Sequence, residues 1–177
     1  MTYPVFASGD VLNASDMNGV GLWLVKSHTI GAGVTESTIT SCFNADFDNY
    51  RVVISGVDFS STAGISWALR IGGNVSNYYG SSYYDQFTGT STGTLRTNNL
   101  SFLYWGVSDQ NNAGSTFDVL NPFKSLITTF MGNFYGEGFS GWAGGTHAVA
   151  SPQSSLSIIS PFGTMTGGTI KVYGYRN

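Results

Sequence analysis

The segment Gly167-Gly168-Thr169-Ile170-Lys171-Val172-Tyr173-Gly174-Tyr175-Arg176-Asn177 decides the fold class. From Thr169 its side chains alternate. Ile170, Val172 and Gly174 share one face, and Lys171 and Tyr173 share the other. A period of two belongs to a β-strand with one buried and one wetted side. The alternation predicts that this stretch is a strand paired into a sheet.

Working back from it, the same texture recurs. Alternating or β-branched runs at 22–30, 35–43, 50–59 and 65–71 are separated by Gly31-Ala32-Gly33, Asp46-Phe47-Asp48-Asn49 and similar turn clusters. Further strands are expected at 78–87, 100–107, 115–120, 126–135, 139–149 and 156–159. Gly72-Gly73-Asn74 reads as a hairpin turn after 65–71. Residues 89–97 and 109–115 are small and polar, and read as surface loops. Runs of helical period longer than two turns are absent. Short strands at this spacing predict an all-β chain, a jelly-roll-like β-sandwich of one domain over 22–177. Residues 1–21 differ. Val5, Phe6, Val11, Leu12 and Met17 are apolar points in a polar stretch, read as an N-terminal anchoring arm, with a flap over the core as the other reading.

Only 10% of the 177 residues are charged, against about 25% in an ordinary soluble domain. The polar surface must come from Ser, Thr, Asn and Gly, which suits an assembly subunit or a protein that meets sugars through neutral hydrogen bonds. With 41% hydrophobic and 15% aromatic residues, a packed core is expected, not disorder. A net charge of −3 and scattered Lys and Arg give no basic stripe for nucleic acid. No apolar run approaches the roughly 20 residues of a membrane-spanning helix, so no membrane insertion is expected. Met1 to Phe6 has neither the basic start nor the apolar run of a secretory leader, so folding in the cytoplasm of the producing cell is expected.

Catalytic groupings are sparse. His28 and His147 lack Cys, Asp or Glu at ligand spacing, and Asp46 and Asp48 lack the rest of a calcium loop, so neither metal nor cofactor is expected. Ser140, in Gly-Phe-Ser-Gly-Trp, misses the nucleophile-elbow pattern by one residue, with His147 following as a weak partner candidate. Asp85, Asp109, Asp118 and Glu137 are the carboxylates available for glycoside hydrolysis, and no pair is favoured by spacing. Gly31-Ala-Gly-Val-Thr-Glu36 lacks the third glycine of a dinucleotide fingerprint. Cys42 reads as a small buried hydrophobe. The chain is expected not to be an enzyme.

Aromatic residues are the distinctive resource. On an extended 78–84 segment, Tyr78 and Tyr84 point one way while Tyr79 and Tyr83 point the other, so one pair must face outward. Tyr79, Tyr83, Trp105 and Trp142 are the candidate contacts for a glycan or a partner subunit. Packing in a wide sandwich core is the competing reading.

Three segments carry a resemblance. Residues 6–18, Phe-Ala-Ser-Gly-Asp-Val-Leu-Asn-Ala-Ser-Asp-Met-Asn, look like the F-x-x-G-x-x-L-x-A-x-D-x-N opening of small structural proteins of tailed bacteriophages. Residues 43–55, Phe-Asn-Ala-Asp-Phe-Asp-Asn-Tyr-Arg-Val-Val-Ile-Ser, are similar to their F-x-x-x-Y-D-N-Y-x-I-x-I-S segment, with Phe47 where Tyr is usual. Residues 168–174 resemble their G-T-I-x-V-Y-G ending. The resemblance implies a virion structural protein: a trimeric tail-fibre or receptor-binding knob, joined to other virion proteins by its N-terminal arm and contacting a host-surface glycan. A capsid decoration protein without receptor binding is the alternative. It carries no catalytic residue over.

Overall fold

The strand at 169–175 is held between two others, not at an edge. In a computed structural model describing residues 21–61, 64–89 and 92–175, the elements are β1 (Leu22–Thr29), β2 (Glu36–Ile39), β3 (Asn49–Phe59), β4 (Ile65–Ile71), β5 (Tyr78–Gln86), β6 (Thr92–Leu100), β7 (Leu103–Ser108), β8 (Ala113–Leu120), β9 (Thr128–Gly136), β10 (Phe139–His147), β11 (Leu156–Ile159), β12 (Met165–Thr166) and β13 (Thr169–Tyr175). The larger sheet runs β1-β13-β3-β8-β9-β10-β5-β6, with β12 also paired to β3. The smaller sheet runs β2-β11-β4-β7. Every pairing is antiparallel. The result is the all-β sandwich that the periodicity predicts. The chain repeatedly changes sheet. Among the described residues the sheets are unequal, nine strands against four.

The core lies between the sheets. Tyr50, Val52, Ile54, Phe117, Val119, Phe130, Phe134, Ile170 and Val172 project from the larger sheet, and Trp67, Leu69, Ile71, Leu103, Trp105 and Ile158 from the smaller. All are buried. Fully burying an aliphatic or Phe side chain contributes about 1.5–3 kcal/mol, so this alternation is what holds the two layers together. Cys42 is among the buried residues, and its burial pushes the thiol pKa up to about 12. That fits the packing role expected for it. Gly80 and Gly145 face each other across β5 and β10, where a Cβ would meet Leu103 Cδ1 at 2.7 and 2.6 Å. Their bare backbone lets β7 settle against the larger sheet.

Three details depart from the sequence reading. Gly72 and Gly73 do turn the chain, at φ of 60° and 70°, but not into a hairpin. β4 pairs with β7 and β11, and the turn carries the chain across to β5 in the other sheet. Most of 89–97 is not a loop, because Thr92–Leu100 forms edge strand β6 against β5. Its Thr, Gly and Asn content reflects wet outward positions, not irregular backbone. The two-residue strand β12 is too short to carry a periodic signal. The arm residues Val5, Phe6, Val11, Leu12 and Met17 lie outside the described residues.

Loops gather at two ends. At one, backbone bonds Gly72 N to Ser155 O (3.0 Å), Ala148 N to Asn77 O (2.9 Å) and Gln153 N to Pro122 O (2.7 Å) tie the 72–77, 121–124 and 148–155 segments together. At the other, Phe59 N to Gln110 O (2.7 Å), Phe87 N to Gly138 O (2.9 Å) and Asp109 N to Glu137 O (3.0 Å) gather 59–61, 87–89, 109–112 and 137–138. The loops at 72–77 and 109–112 therefore occupy opposite ends.

At the first end, His147 is fully buried, its ring centroid 4.7 Å from that of Tyr78. Burial keeps the imidazole neutral and lowers its pKa below the ordinary value. The unfolded chain then takes up this proton first, as pH falls through about 6.5. Stability from the neutral ring is complete above that value and is lost on acidification toward the folded-state pKa, at a limiting slope of about 1.4 kcal/mol per pH unit. Urea unfolding at pH 7.5, 6.0 and 5.0 should show a slope that is absent in His147→Phe. An unchanged slope in that variant would assign the effect elsewhere.

Candidate functional site

The outer face of the larger sheet carries the unusual residues. Successive residues on β5 alternate, so Tyr78 and Tyr84 turn inward while Tyr79 and Tyr83 turn out. Tyr78 is anchored inside. Its hydroxyl accepts from Ile71 N at 2.8 Å and donates to Ile71 O at 3.1 Å, and burial raises its pKa to about 12. Tyr83 pairs with Trp142 across β5 and β10, and their rings stack with centroids 6.3 Å apart and planes 25° from parallel. Trp142 is 56% exposed.

The rung continues in both directions with neutral hydrogen bonders. Tyr83 faces Thr94 on β6, Trp142 faces Asn133 on β9, and Asn133 faces Thr116 on β8. One rung along, Ser140 faces both Tyr135 and Asp85. Tyr135 is exposed and diagonal to Trp142, with backbone positions about 7–8 Å apart at ordinary sheet spacing. Tyr79 lies four residues from Tyr83, about 13 Å along the strand, so it belongs to the same face but not to the stacked pair. Exposed Met131 sits across β10 from Gly144.

Of the four candidate contacts, Tyr79, Tyr83 and Trp142 are therefore brought to one face. Trp105 is not. It is wholly buried on β7, its Nε1–H donates to Ser115 Oγ at 2.8 Å, and its ring lies 4.8 Å from Phe117. The adjacent pair Tyr104-Trp105 had to split between faces, and the inward side of β7 took the tryptophan. Tyr135 was missed by the sequence reading, although its parity on β9 with Met131 and Asn133 carries the signal.

Polar groups that could do chemistry are largely engaged with one another. Ser140 and His147 are seven residues apart on β10, which puts them on opposite faces and about 23 Å apart along the strand. They cannot form a catalytic pair. Arg51 donates to both carboxylate oxygens of Asp118, at 2.9 and 3.0 Å, and Tyr175 Oη–H bonds the same carboxylate. Burial alone would raise the Asp118 pKa, but the bonds from Arg51 and Tyr175 outweigh it and hold the group below the usual value. The Tyr175 phenol is pushed up to about 12 by burial and by that carboxylate. Asp109 Oδ1 accepts from Gly64 N at 2.7 Å, and Asp48 pairs with Lys124. Among the described residues, no group of three or more His, Cys, Asp or Glu is placed to hold a metal ion.

The chain matches no protein-family model and no curated protein.

Proposed function

We propose that this is a non-enzymatic structural protein of a tailed-bacteriophage virion, a homotrimeric receptor-binding knob of the tail fibre whose outer sheet face contacts a host-surface glycan. In this reading it is made in the host cytoplasm, functions in the virion, and joins other virion proteins through residues 1–21. The phage context rests on the three resembling sequence segments. The binding role rests on one observation, the solvent-facing Tyr83–Trp142 stack amid neutral hydrogen bonders. Leaving a tryptophan more than half exposed forgoes burial energy, and flat rings beside hydroxyl and amide groups match the apolar faces and polar rims of sugars.

The experiment is binding of the purified protein to host cells. Trp142→Ala should weaken it about tenfold or more, the size expected for an interface aromatic, with the melting temperature shifted by less than about 2 °C. Unchanged binding would remove the face from the receptor-contact role. Immunogold labelling with antibody against 22–177 should place the protein on the tail. A monomer by sedimentation at micromolar concentration would overturn the trimer.

Capsid decoration is the second reading, favoured by Met131, Leu126 and Ile127, exposed apolar residues suited to contact between subunits. Gold over the head would support it.

A further inference from the structure

We propose that the recess between the 109–112 loop and the β9–β10 turn is a sugar subsite continuous with the aromatic face, taking one neutral pyranose ring and discriminating against acidic sugars. The proposal rests on the glycan-contact reading above and extends it to a defined pocket and ligand class.

The recess has a volume of about 330 Å³ and is lined by Asn111, Asn112, Tyr135, Gly136 and Glu137. That is the small end of the roughly 300–1,000 Å³ range of ligand sites, suited to one ring of a chain. Tyr135 connects it to the platform. It points to the same side of the larger sheet as Trp142, is diagonal to it, and also walls the recess. A glycan stacked on Trp142 and followed along β9 meets Tyr135 next and then the polar lining.

That lining is already fixed in place. Glu137 Oε2 accepts from Asn111 N at 3.2 Å and from Asn111 Nδ2 at 2.8 Å, and Glu137 N donates to Asn111 O at 3.3 Å. Asn112 N donates to Asp58 Oδ1 at 3.0 Å, and Asn112 is held at φ 54°. At Gly138, with φ 79°, a Cβ would stand 2.6 Å from Asp109 Oδ2. The turn therefore closes on the loop only with glycine there. A site pre-formed in this way pays little ordering entropy on binding. Carboxylate and amide groups supply acceptors and donors for the paired hydroxyls of a sugar.

Charge sets the selectivity. Glu137 lines the recess, Asp58 and Asp109 bond its loops, and Asp85 lies across β10 from Tyr135 through Ser140. A uronate or sialate carboxylate would face like charge on entry, whereas hydroxyl and N-acetyl groups would not.

The test is an NMR titration of the ¹⁵N-labelled protein with maltopentaose, chitotetraose and trigalacturonate. At least one neutral oligomer should shift the Trp142 indole N–H and the Asn111 and Asn112 side-chain amides together. Trigalacturonate should bind at least fivefold more weakly. Asn112→Ala should weaken neutral binding about tenfold, as expected for hydrogen bonds in a charged lining. Glu137→Gln should narrow the gap between neutral and acidic probes. Shifts at Trp142 alone would overturn the subsite and leave the aromatic-face reading standing. Shifts at the amides alone would show a pocket separate from the aromatic face and overturn the continuity proposed here, and no shift with any probe would overturn both readings. Equal binding of trigalacturonate would overturn the charge selectivity.

Discussion

Trp105→Ala is expected to destabilise the protein by about 3–5 kcal/mol, a large share of the roughly 5–15 kcal/mol that holds a domain folded. Trp105 is completely buried against Phe117, on the strand that packs over β5, β9 and β10. Removing the indole opens a cavity between two sheets whose hydrogen-bonded ladders resist collapse, so the cavity cost adds to the lost transfer energy. It also removes the donor to Ser115 Oγ, while Ser115 continues to donate to Asn133 O at 2.6 Å. Trp105→Phe keeps most of the volume and loses only that donor and one ring, so it should cost about 1–3 kcal/mol. Urea unfolding followed by far-ultraviolet circular dichroism separates the two. A loss below about 1 kcal/mol for the alanine variant would mean that β7 can close the gap, contrary to the packing argument.

Gly145→Val is expected to be comparably damaging for the opposite reason. The new Cβ would stand 2.6 Å from Leu103 Cδ1, 2.5 Å from Tyr79 O and 3.0 Å from Gly80 Cα. Two of those neighbours are backbone in a paired strand and cannot rotate away. Overpacking costs about 1–3 kcal/mol where side chains can adjust, and the upper end or beyond is expected where backbone must move. The double variant Gly145→Val with Leu103→Ala tests the mechanism. It should recover part of the loss if the Leu103 contact dominates, and none if the β5 backbone does. A Gly145→Val protein as stable as the parent would show that the sheets are not in close approach there.

Strand periodicity was legible because it depends on neighbouring residues alone. Ile170, Val172 and Gly174 are buried as their alternation requires, and the opposed directions of Tyr78 and Tyr79 follow from pleat geometry. What could not be read depends on which strand lies beside which. Gly72-Gly73 has genuine turn chemistry, yet the sequence does not say that the two flanking strands belong to different sheets. β6 was obscured because Thr, Gly and Asn serve both loops and wet edge strands. For Tyr104-Trp105, parity gives opposite faces but not which one is inward. The recess was least legible of all. It exists only because a loop at 109–112 meets a turn at 137–138, and no local pattern announces that meeting.

The register between β1 and β13 has a consequence for synthesis. Thr29 pairs with Thr169, and among the described strands β13 is the sole larger-sheet neighbour of β1. On a ribosome adding about 5–20 residues per second, β1 emerges roughly 7–28 seconds before that partner exists. During this interval Leu22 and Leu24 stand on an apolar strand still awaiting β13, the kind of edge on which chains aggregate. The larger sheet is thus completed only once residues 169–175 have been made. A nascent chain stalled before residue 169 should remain protease-sensitive at β1, however well its middle strands have already assembled.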